Sequence, residues 1–149
     1  VFQKLKNLKK LSLNNNNLEN LNKMALLNLT KLKRLTLDSN KINNIDENAF
    51  QQTNNIEYLS IRNNKIKYLG DKIFKNLRNL KNLYLENNNI ELVKPKWFDN
   101  FKNTSKNFAI NICSKNKEIN SLKKCKCSNK DFEYFIADIE NLYNKKVLN

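Results

Sequence analysis

The chain has 149 residues, and its 40% hydrophobic content is enough for one compact unit with its own core. It carries 28 Lys and Arg against 14 Asp and Glu, a formal net charge of +14, and it contains no His and a single Gly. Without His the usual general base is missing, and one Gly cannot form a glycine-rich phosphate loop, so the composition argues against an enzyme.

Apolar triplets recur along the chain at a constant interval. They read LSL, LTL, LSI and LYL, at 11–13, 35–37, 59–61 and 83–85. Two further columns keep the same phase: an Asn column at Asn16, Asn40, Asn64 and Asn88, and a large apolar column at Leu26, Phe50, Phe74 and Phe98. Repeats of this length predict a solenoid, in which each coil is too small to bury its apolar face alone and is completed by its neighbours.

The triplets are predicted to be short strands that pair into a parallel sheet. Leu35 and Leu37 then point into the core while Thr36 points out, because side chains alternate along a strand. The Asn that follows lies inside the turn that leaves the strand, where its amide can donate to and accept from buried backbone groups. The Phe column is expected to fill the space under the opposite side of each coil.

These columns spell L-x-x-L-x-L-x-x-N-x-L, which resembles the leucine-rich repeat in its 24-residue form with a Phe column. The resemblance covers residues 1–119, with about four full repeats, a partial first repeat and a degenerate fifth in which Cys113 takes the Asn position. It implies an α/β solenoid with a curved, short-stranded parallel sheet, an irregular convex side and a partly helical C-terminal cap.

The first residues indicate an open end. Phe2 lies nine residues before Leu11, as Phe50 lies nine before Leu59, so Phe2 is expected to belong to the Phe column of a preceding coil. The N-terminal edge of the sheet and some core side chains would then be exposed. An exposed edge favours association, so we predict a homo- or hetero-oligomer that forms through this edge or through an unpaired Cys.

Residues 120–149 are predicted to form the C-terminal cap. Apolar residues spaced by three and four share one face of a helix there: Phe132, Phe135, Ile136, Ile139, Leu142 and Tyr143. Ser128, with Asp131 three residues later, is predicted to start that helix. Cys125 and Cys127 ahead of an apolar helix resemble the C-terminal flanking domain of extracellular leucine-rich repeat proteins, such as Toll-like receptor ectodomains, although the two further Cys of that pattern do not follow.

The three Cys leave two interpretations open. By the resemblance, Cys113 forms a disulfide with Cys125 or Cys127, and the third Cys pairs outside this chain. Alternatively, all three are reduced thiols. Three Cys without His are a poor zinc ligand set, so no metal and no cofactor is predicted. Two N-x-S/T sequences make Asn28 and Asn103 glycosylation candidates.

The outward residues of the strands are the candidate set for binding a protein ligand. They would line the concave face of the sheet, and they include Tyr and Arg, the residue types that most often dominate interface energetics. The set comprises Arg34, Thr36, Asp38, Tyr58, Ser60, Arg62, Asn82, Tyr84 and Glu86. The competing interpretation is an ordinary solvated strand face.

The sequence therefore predicts a non-catalytic protein–protein recognition module. The resemblance implies an extracellular receptor, adhesion or innate-immunity protein, secreted or an ectodomain, and no stretch of the sequence is apolar enough to span a membrane. Two alternatives stay open. The charge favours a basic protein that binds a polyanion such as glycosaminoglycan, nucleic acid or a microbial surface, unless the Lys content is a compositional bias shared with Asn and Ile. Reduced thiols would instead favour an intracellular scaffold in the cytoplasm.

Overall fold

The computed structural model describes residue 2 and residues 4–101, 109–112, 126–128 and 132–147, with the main chain alone at 126–128 and 132–135. These residues form short strands and one long helix, α1 (Phe132–Val147). In chain order the strands are β1 (Lys10–Ser12), β2 (Asn20–Leu21), β3 (Arg34–Thr36), β4 (Asn44–Ile45), β5 (Tyr58–Ser60), β6 (Asn82–Tyr84), β7 (Ala109–Asn111) and β8 (Lys126–Ser128).

The main sheet contains one strand from each coil, in the order β1-β3-β5-β6-β7-β8. The strands from β1 to β7 are parallel, and their register places the first leucines of successive triplets side by side, as in Leu11↔Leu35, Leu35↔Leu59 and Leu59↔Leu83. A constant repeat length and an in-register parallel ladder are what stacked coils require. The predicted solenoid is confirmed.

The strands begin one residue before the apolar triplets. The backbone hydrogen bonds between coils continue beyond the last residue of each of these strands. The Leu37 N–H donates to the Ser60 carbonyl oxygen at 2.8 Å, and the Ile61 N–H donates to the Tyr84 carbonyl oxygen at 2.9 Å. The third triplet residue is therefore still tied to the next coil. A second, smaller sheet that the sequence did not predict pairs β2 with β4 in parallel.

The core lies between the sheet and the convex side. The inward residues of the second, third and fourth triplets are completely buried: Leu35, Leu37, Leu59, Ile61, Leu83 and Leu85. Burying one such side chain contributes about 1.5–3 kcal/mol, and these three coils each repeat this contribution. Because each coil buries its leucines against the next coil, the contribution depends on stacking.

A column of aromatic rings fills the convex half of the core. Phe50 and Phe74 stack with their centroids 6.5 Å apart, and Phe74 meets Trp97 edge-on at 6.1 Å. Trp97 and Phe98 lie together in a 3-10 turn, Pro95–Phe98, and both are buried. The repeat pattern predicted the Phe column but not the burial of Trp97, which stands one position outside it.

The side chain of Asn64 joins two coils through hydrogen bonds. Its Nδ2 donates to the carbonyl oxygens of Ile61 and Arg62 in its own coil, at 3.3 and 2.9 Å. The same nitrogen donates to the Leu37 carbonyl oxygen of the preceding coil at 3.0 Å, while Oδ1 accepts from the Ile42 N–H at 2.9 Å. Asn64 therefore satisfies backbone groups that the turn has removed from water.

Other members of the Asn column form similar bonds to different extents. Asn40 Nδ2 donates to the Leu13 carbonyl oxygen of the preceding coil at 2.9 Å, and Asn88 Nδ2 donates in the same way to Ile61 at 2.8 Å. Asn16 is exposed, and its amide bonds only to two carbonyl oxygens of its own turn. The fifth predicted position, Cys113, lies outside the described residues.

A second column with the same period explains part of the high Asn content. Asn15, Ser39, Asn63 and Asn87 all have positive φ, between 53° and 59°, directly before the Asn of each turn. Asn tolerates this left-handed conformation better than most residues with a side chain. Each coil therefore places two demands on consecutive positions. Asn meets both in three of the coils, and Ser39 takes the first position in the other.

The helix α1 packs against the 3-10 turn at the end of the fourth full coil and against β8. Ile136 and Ile139 are buried, Leu142 is partly buried against the core, and the Lys146 Nζ donates to the Glu91 carbonyl oxygen at 3.0 Å. These residues belong to the face that the spacing predicted. The side chains of Phe132 and Phe135, which the prediction also included, are outside the described set.

The start of this helix differs from the sequence-based expectation. Ser128 was expected to start the helix, but it lies in β8, antiparallel to β7, with Ala109 as its partner. Its backbone is extended and hydrogen-bonded in the sheet, so it is not a cap for a helix that begins at Phe132. β8 covers the edge of β7, which removes an open sheet edge at this end.

Candidate functional site

The nine candidate residues of the concave face lie on three neighbouring coils, around β3, β5 and β6. Five of their side chains form one continuous cluster, which we call the tyrosine–arginine cluster: Arg34, Tyr58, Arg62, Tyr84 and Glu86. Beside it, Ser60 is hydrogen-bonded to Asp38, and Thr36 is hydrogen-bonded to Ser12. Asn82 is half-buried beside Tyr58 in the strand register.

The two tyrosines form the centre of the cluster. The ring centroids of Tyr58 and Tyr84 are 5.3 Å apart, with an angle of 41° between the ring planes. Arg34 Cζ lies 3.6 Å from the centroid of the Tyr58 ring, and Arg62 Cζ lies 4.1 Å from that of Tyr84. Each cation is thus within the range of a cation–π interaction with one ring.

An ion pair holds the second arginine in place. Arg62 Nε lies 2.7 Å from Glu86 Oε1, and the two side chains retain 33% and 16% of their exposure. Asp38 supports the same coil from the other side, because its Oδ1 accepts from the Arg62 backbone N–H at 2.8 Å. The backbone N–H of Arg62 is therefore hydrogen-bonded, and its head group is ion-paired within the cluster.

Thr36 and Ser60, which alternation places on the outward side of their strands, are not exposed. Both are buried, Thr36 at 8% exposure and Ser60 at 0%. The Thr36 hydroxyl donates to Ser12 Oγ at 3.0 Å, and the Ser60 hydroxyl donates to Asp38 Oδ1 at 2.6 Å. Both hydroxyls are thus hydrogen-bonded within the protein and support the face from within.

A row of charged residues lies on the flank, one position before each of β1, β3, β5 and β6. Lys9, Lys33, Glu57 and Lys81 follow one another through backbone hydrogen bonds between coils. Lys33 Nζ is 2.9 Å from Glu57 Oε1, and Lys81 Nζ is 2.7 Å from Oε2. This arrangement was not predicted from the sequence, although charges of opposite sign that recur in phase with the coils are a readable signal once the repeat length is known.

The two lysines keep Glu57 ionised in acid. Hydrogen bonds from Lys81 and then Lys33 lower the pKa of Glu57 from 4.5 to about 2. A lowered folded-state pKa means that the contribution to stability is present above about pH 4.5 and is lost as pH falls toward 2.

We expect a carboxyl-carbon NMR titration to find the Glu57 midpoint well below 4.5, and to find it raised in Lys33→Gln/Lys81→Gln. An unchanged midpoint in that double variant would contradict the pairing.

On the convex side, the basic residues Lys94 and Lys96 have an acidic neighbour. Lys94 Nζ lies 2.6 Å from Asp71 Oδ1, and Lys96 Nζ lies 3.6 Å from Oδ2. The hydrogen bond from Lys94 lowers the pKa of the Asp71 carboxyl below its ordinary value. Asp71 thus offsets part of the charge of this region.

An apolar cavity of about 380 Å³ lies at the N-terminal end of the described solenoid. Its lining includes Phe2, Leu13, Leu18 and the half-exposed Met24. Leu13 is only partly buried, whereas Leu37, its counterpart one coil later, is completely buried. The association that the sequence predicted through this end stays a prediction.

Only some of the glycosylation and disulfide candidates lie within the described residues. Asn28 lies in a convex turn with φ 67°, half-buried, and its N–H donates to Gln52 Oε1 at 3.0 Å. Asn103, Cys113 and Cys125 lie outside the described residues, and only the main chain of Cys127 is described, opposite Ile110 in β8. The disulfide and glycosylation assignments therefore remain predictions.

The fold and the concave face together define the class of protein. It is a solenoid of short parallel strands, in which equivalent outward residues of successive strands form rows across the sheet. The chain belongs to the leucine-rich repeat family, whose model, described as leucine rich repeat, matches residues 6–66 and 54–106. A search of curated proteins found no match. Leucine-rich repeats act as protein–protein interaction modules and are typically non-catalytic.

Among the described residues, no helix combines the length and the apolarity that crossing a bilayer requires. Within the same part of the chain, no three His, Cys, Asp or Glu side chains are grouped so that they could hold a metal ion.

Proposed function

We propose that the chain is a recognition module without catalytic activity and that its concave face binds a protein ligand through Tyr58 and Tyr84. The observation that carries this proposal is the contact between the tilted rings of two neighbouring tyrosines, each with an arginine over its ring. Tyr and Arg are enriched among the interface residues whose truncation costs the most binding energy. A solvated strand face needs no such arrangement.

Pre-organisation strengthens the proposal. Binding costs free energy when long side chains must be ordered at the interface, at about 0.5–1.5 kcal/mol for each one immobilised. In this cluster Arg34 and Arg62 already stack on rings, and Arg62 is also paired with Glu86. A ligand would therefore meet a surface whose side chains have already lost most of their freedom.

We also propose that the protein works outside the cell, as part of a secreted or ectodomain leucine-rich repeat protein with a receptor, adhesion or innate-immunity role. The support is the resemblance of the Cys-bearing cap to extracellular members of the family, together with the family membership itself. A count of free thiols in the denatured protein tests the compartment: fewer than three free thiols supports a disulfide, and three support the intracellular scaffold.

The binding proposal is tested with ligands selected from a displayed peptide library against the immobilised chain. Tyr58→Ala/Tyr84→Ala is expected to weaken such ligands by at least about tenfold, since each truncated tyrosine removes a central contact. The matched control is Tyr68→Ala, because Tyr68 is 65% exposed and lies outside the cluster. Circular dichroism verifies that both variants are folded. Full affinity in the double variant would contradict the proposal.

A further inference from the structure

The flank beside the cluster carries four cations that are adjacent in space. The Lys33 and Arg34 N–H groups both donate to the Lys9 carbonyl oxygen, at 2.9 and 3.0 Å, and Lys10 is the register partner of Arg34. We call Lys9, Lys10, Lys33 and Arg34 the basic quartet. All four are exposed, and neighbouring strands are about 4.8 Å apart, so their charges occupy one small patch.

Little negative charge faces the quartet. Between residues 4 and 34 the sequence has one acidic residue, Glu19. The Glu19 carbonyl oxygen accepts a hydrogen bond from the Asn43 N–H. Glu19 therefore lies directly before β2, beyond the end of the main strands. Among the described residues Lys9, Lys10 and Arg34 form no ion pair, and Lys33 is paired only with Glu57. The patch therefore keeps an excess of about three positive charges.

The same flank already holds one carboxylate from within the chain. Glu57 stands in the same row as Lys9 and Lys33, and its carboxylate lies between the ammonium groups of Lys33 and Lys81, at 2.9 and 2.7 Å. Lysines from the coils on either side thus hold one carboxylate. One coil earlier the row reads Lys9 and Lys33. Lys33 is paired with Glu57 on its other side, and Lys9 forms no ion pair among the described residues.

We propose that the basic quartet binds carboxylate side chains from an acidic segment of the protein that the concave face recognises. This inference rests on the proposed recognition function and names the chemistry of the partner. Arg34 belongs both to the quartet and to the tyrosine–arginine cluster, so a segment bound on the flank leads directly onto the tyrosines. Lysine ammonium groups suit a flexible acidic segment because they accept many approach directions.

Nucleic acid fits the same surface less well. Single-stranded nucleic acids bind to grooves in which exposed aromatic rings stack with the bases. Here Arg34 covers Tyr58, Arg62 covers Tyr84, and the two rings also contact each other. The ring faces are therefore covered against base stacking, whereas both tyrosines keep partly exposed surface for other contacts with a protein.

The test uses a fluorescent Glu-rich peptide and the same peptide with Gln in place of Glu. Lys9→Gln/Lys10→Gln is expected to lower the affinity for the Glu peptide about tenfold, and raised salt is expected to weaken binding by the wild-type chain. The matched control is Lys41→Gln/Lys65→Gln. These two exposed lysines lie at the opposite ends of the strands, on successive coils, whereas Lys9 and Lys10 are neighbours in one coil. Their replacement removes the same charge.

Each outcome decides the inference. An equal loss in the two double variants would mean that the net charge of +14, and not the quartet, attracts the peptide. A sulfated oligosaccharide or an oligonucleotide that binds more tightly than the Glu peptide, and is lost in Lys9→Gln/Lys10→Gln, would overturn the partner class. If the Glu peptide fails while selected ligands still depend on Tyr58 and Tyr84, the recognition face stands and the acidic partner is wrong.

Discussion

Asn64→Ala is expected to lower the free energy of unfolding by about 3–4 kcal/mol, measured by urea denaturation. The change removes an amide that serves two coils at once, with donors to Leu37, Ile61 and Arg62 and an acceptor for Ile42. These backbone groups are buried or partly buried, and each one left without a partner carries a desolvation penalty of about 1–3 kcal/mol. A large part of the stability of a small domain would be lost.

Two comparison variants separate the hydrogen bonds from other effects. Asn16→Ala removes the same side chain from an exposed turn, where it bonds only within its own coil, and should cost about 1 kcal/mol or less. Asn64→Asp keeps the shape and the acceptor but removes the donor, so it should also be strongly destabilising. Equal costs for Asn64→Ala and Asn16→Ala would refute the role given to the buried amide.

Phe74→Ala is expected to cost about 3–5 kcal/mol, the range for large-to-small changes of aromatic residues in a core. Phe74 is 1% exposed and stands between two rings, 6.5 Å from Phe50 and 6.1 Å from Trp97. Its removal leaves a cavity that the solenoid cannot easily close, because the rings on either side belong to different coils. The loss should appear as a lower midpoint in urea or heat.

Two control variants separate the loss of core packing from the loss of an aromatic ring as such. Phe74→Leu keeps most of the volume, so it should cost about 1.5 kcal/mol or less. Tyr68→Ala also removes an aromatic ring, but from a side chain that is 65% exposed and hydrogen-bonded to Glu91 at the surface, so it should cost about 1 kcal/mol or less. If Phe74→Ala were no more costly than Tyr68→Ala, the aromatic column would not be part of the core.

The candidate site was predictable as a set of positions but not as an arrangement. Alternation along a strand identifies Tyr58 and Tyr84 as outward residues. It does not reveal that Thr36 and Ser60, outward by the same rule, are covered by their neighbours. Burial of a small side chain depends on how all the side chains around it are placed, and alternation carries no information about that.

The flank shows a similar division. Lys33, Glu57 and Lys81 stand one repeat apart in the printed sequence, so their alignment follows from the repeat. Whether aligned charges actually meet depends on side-chain rotamers, and only the structure gives the distances of 2.9 and 2.7 Å. The depressed pKa of Glu57 is a consequence of those distances.

The sequence by itself determined the coil. A constant repeat length, with apolar residues to bury and Asn for the turn, leaves stacked coils as the arrangement in which every leucine finds a partner, since no coil can bury its apolar face alone. The tertiary structure decided what happens between coils and at the end of the stack: the stacking of arginines on tyrosines, the burial of Trp97, and the reversal at β8. These features occur once and leave no period in the sequence, because they depend on which particular side chains the stacking brings together.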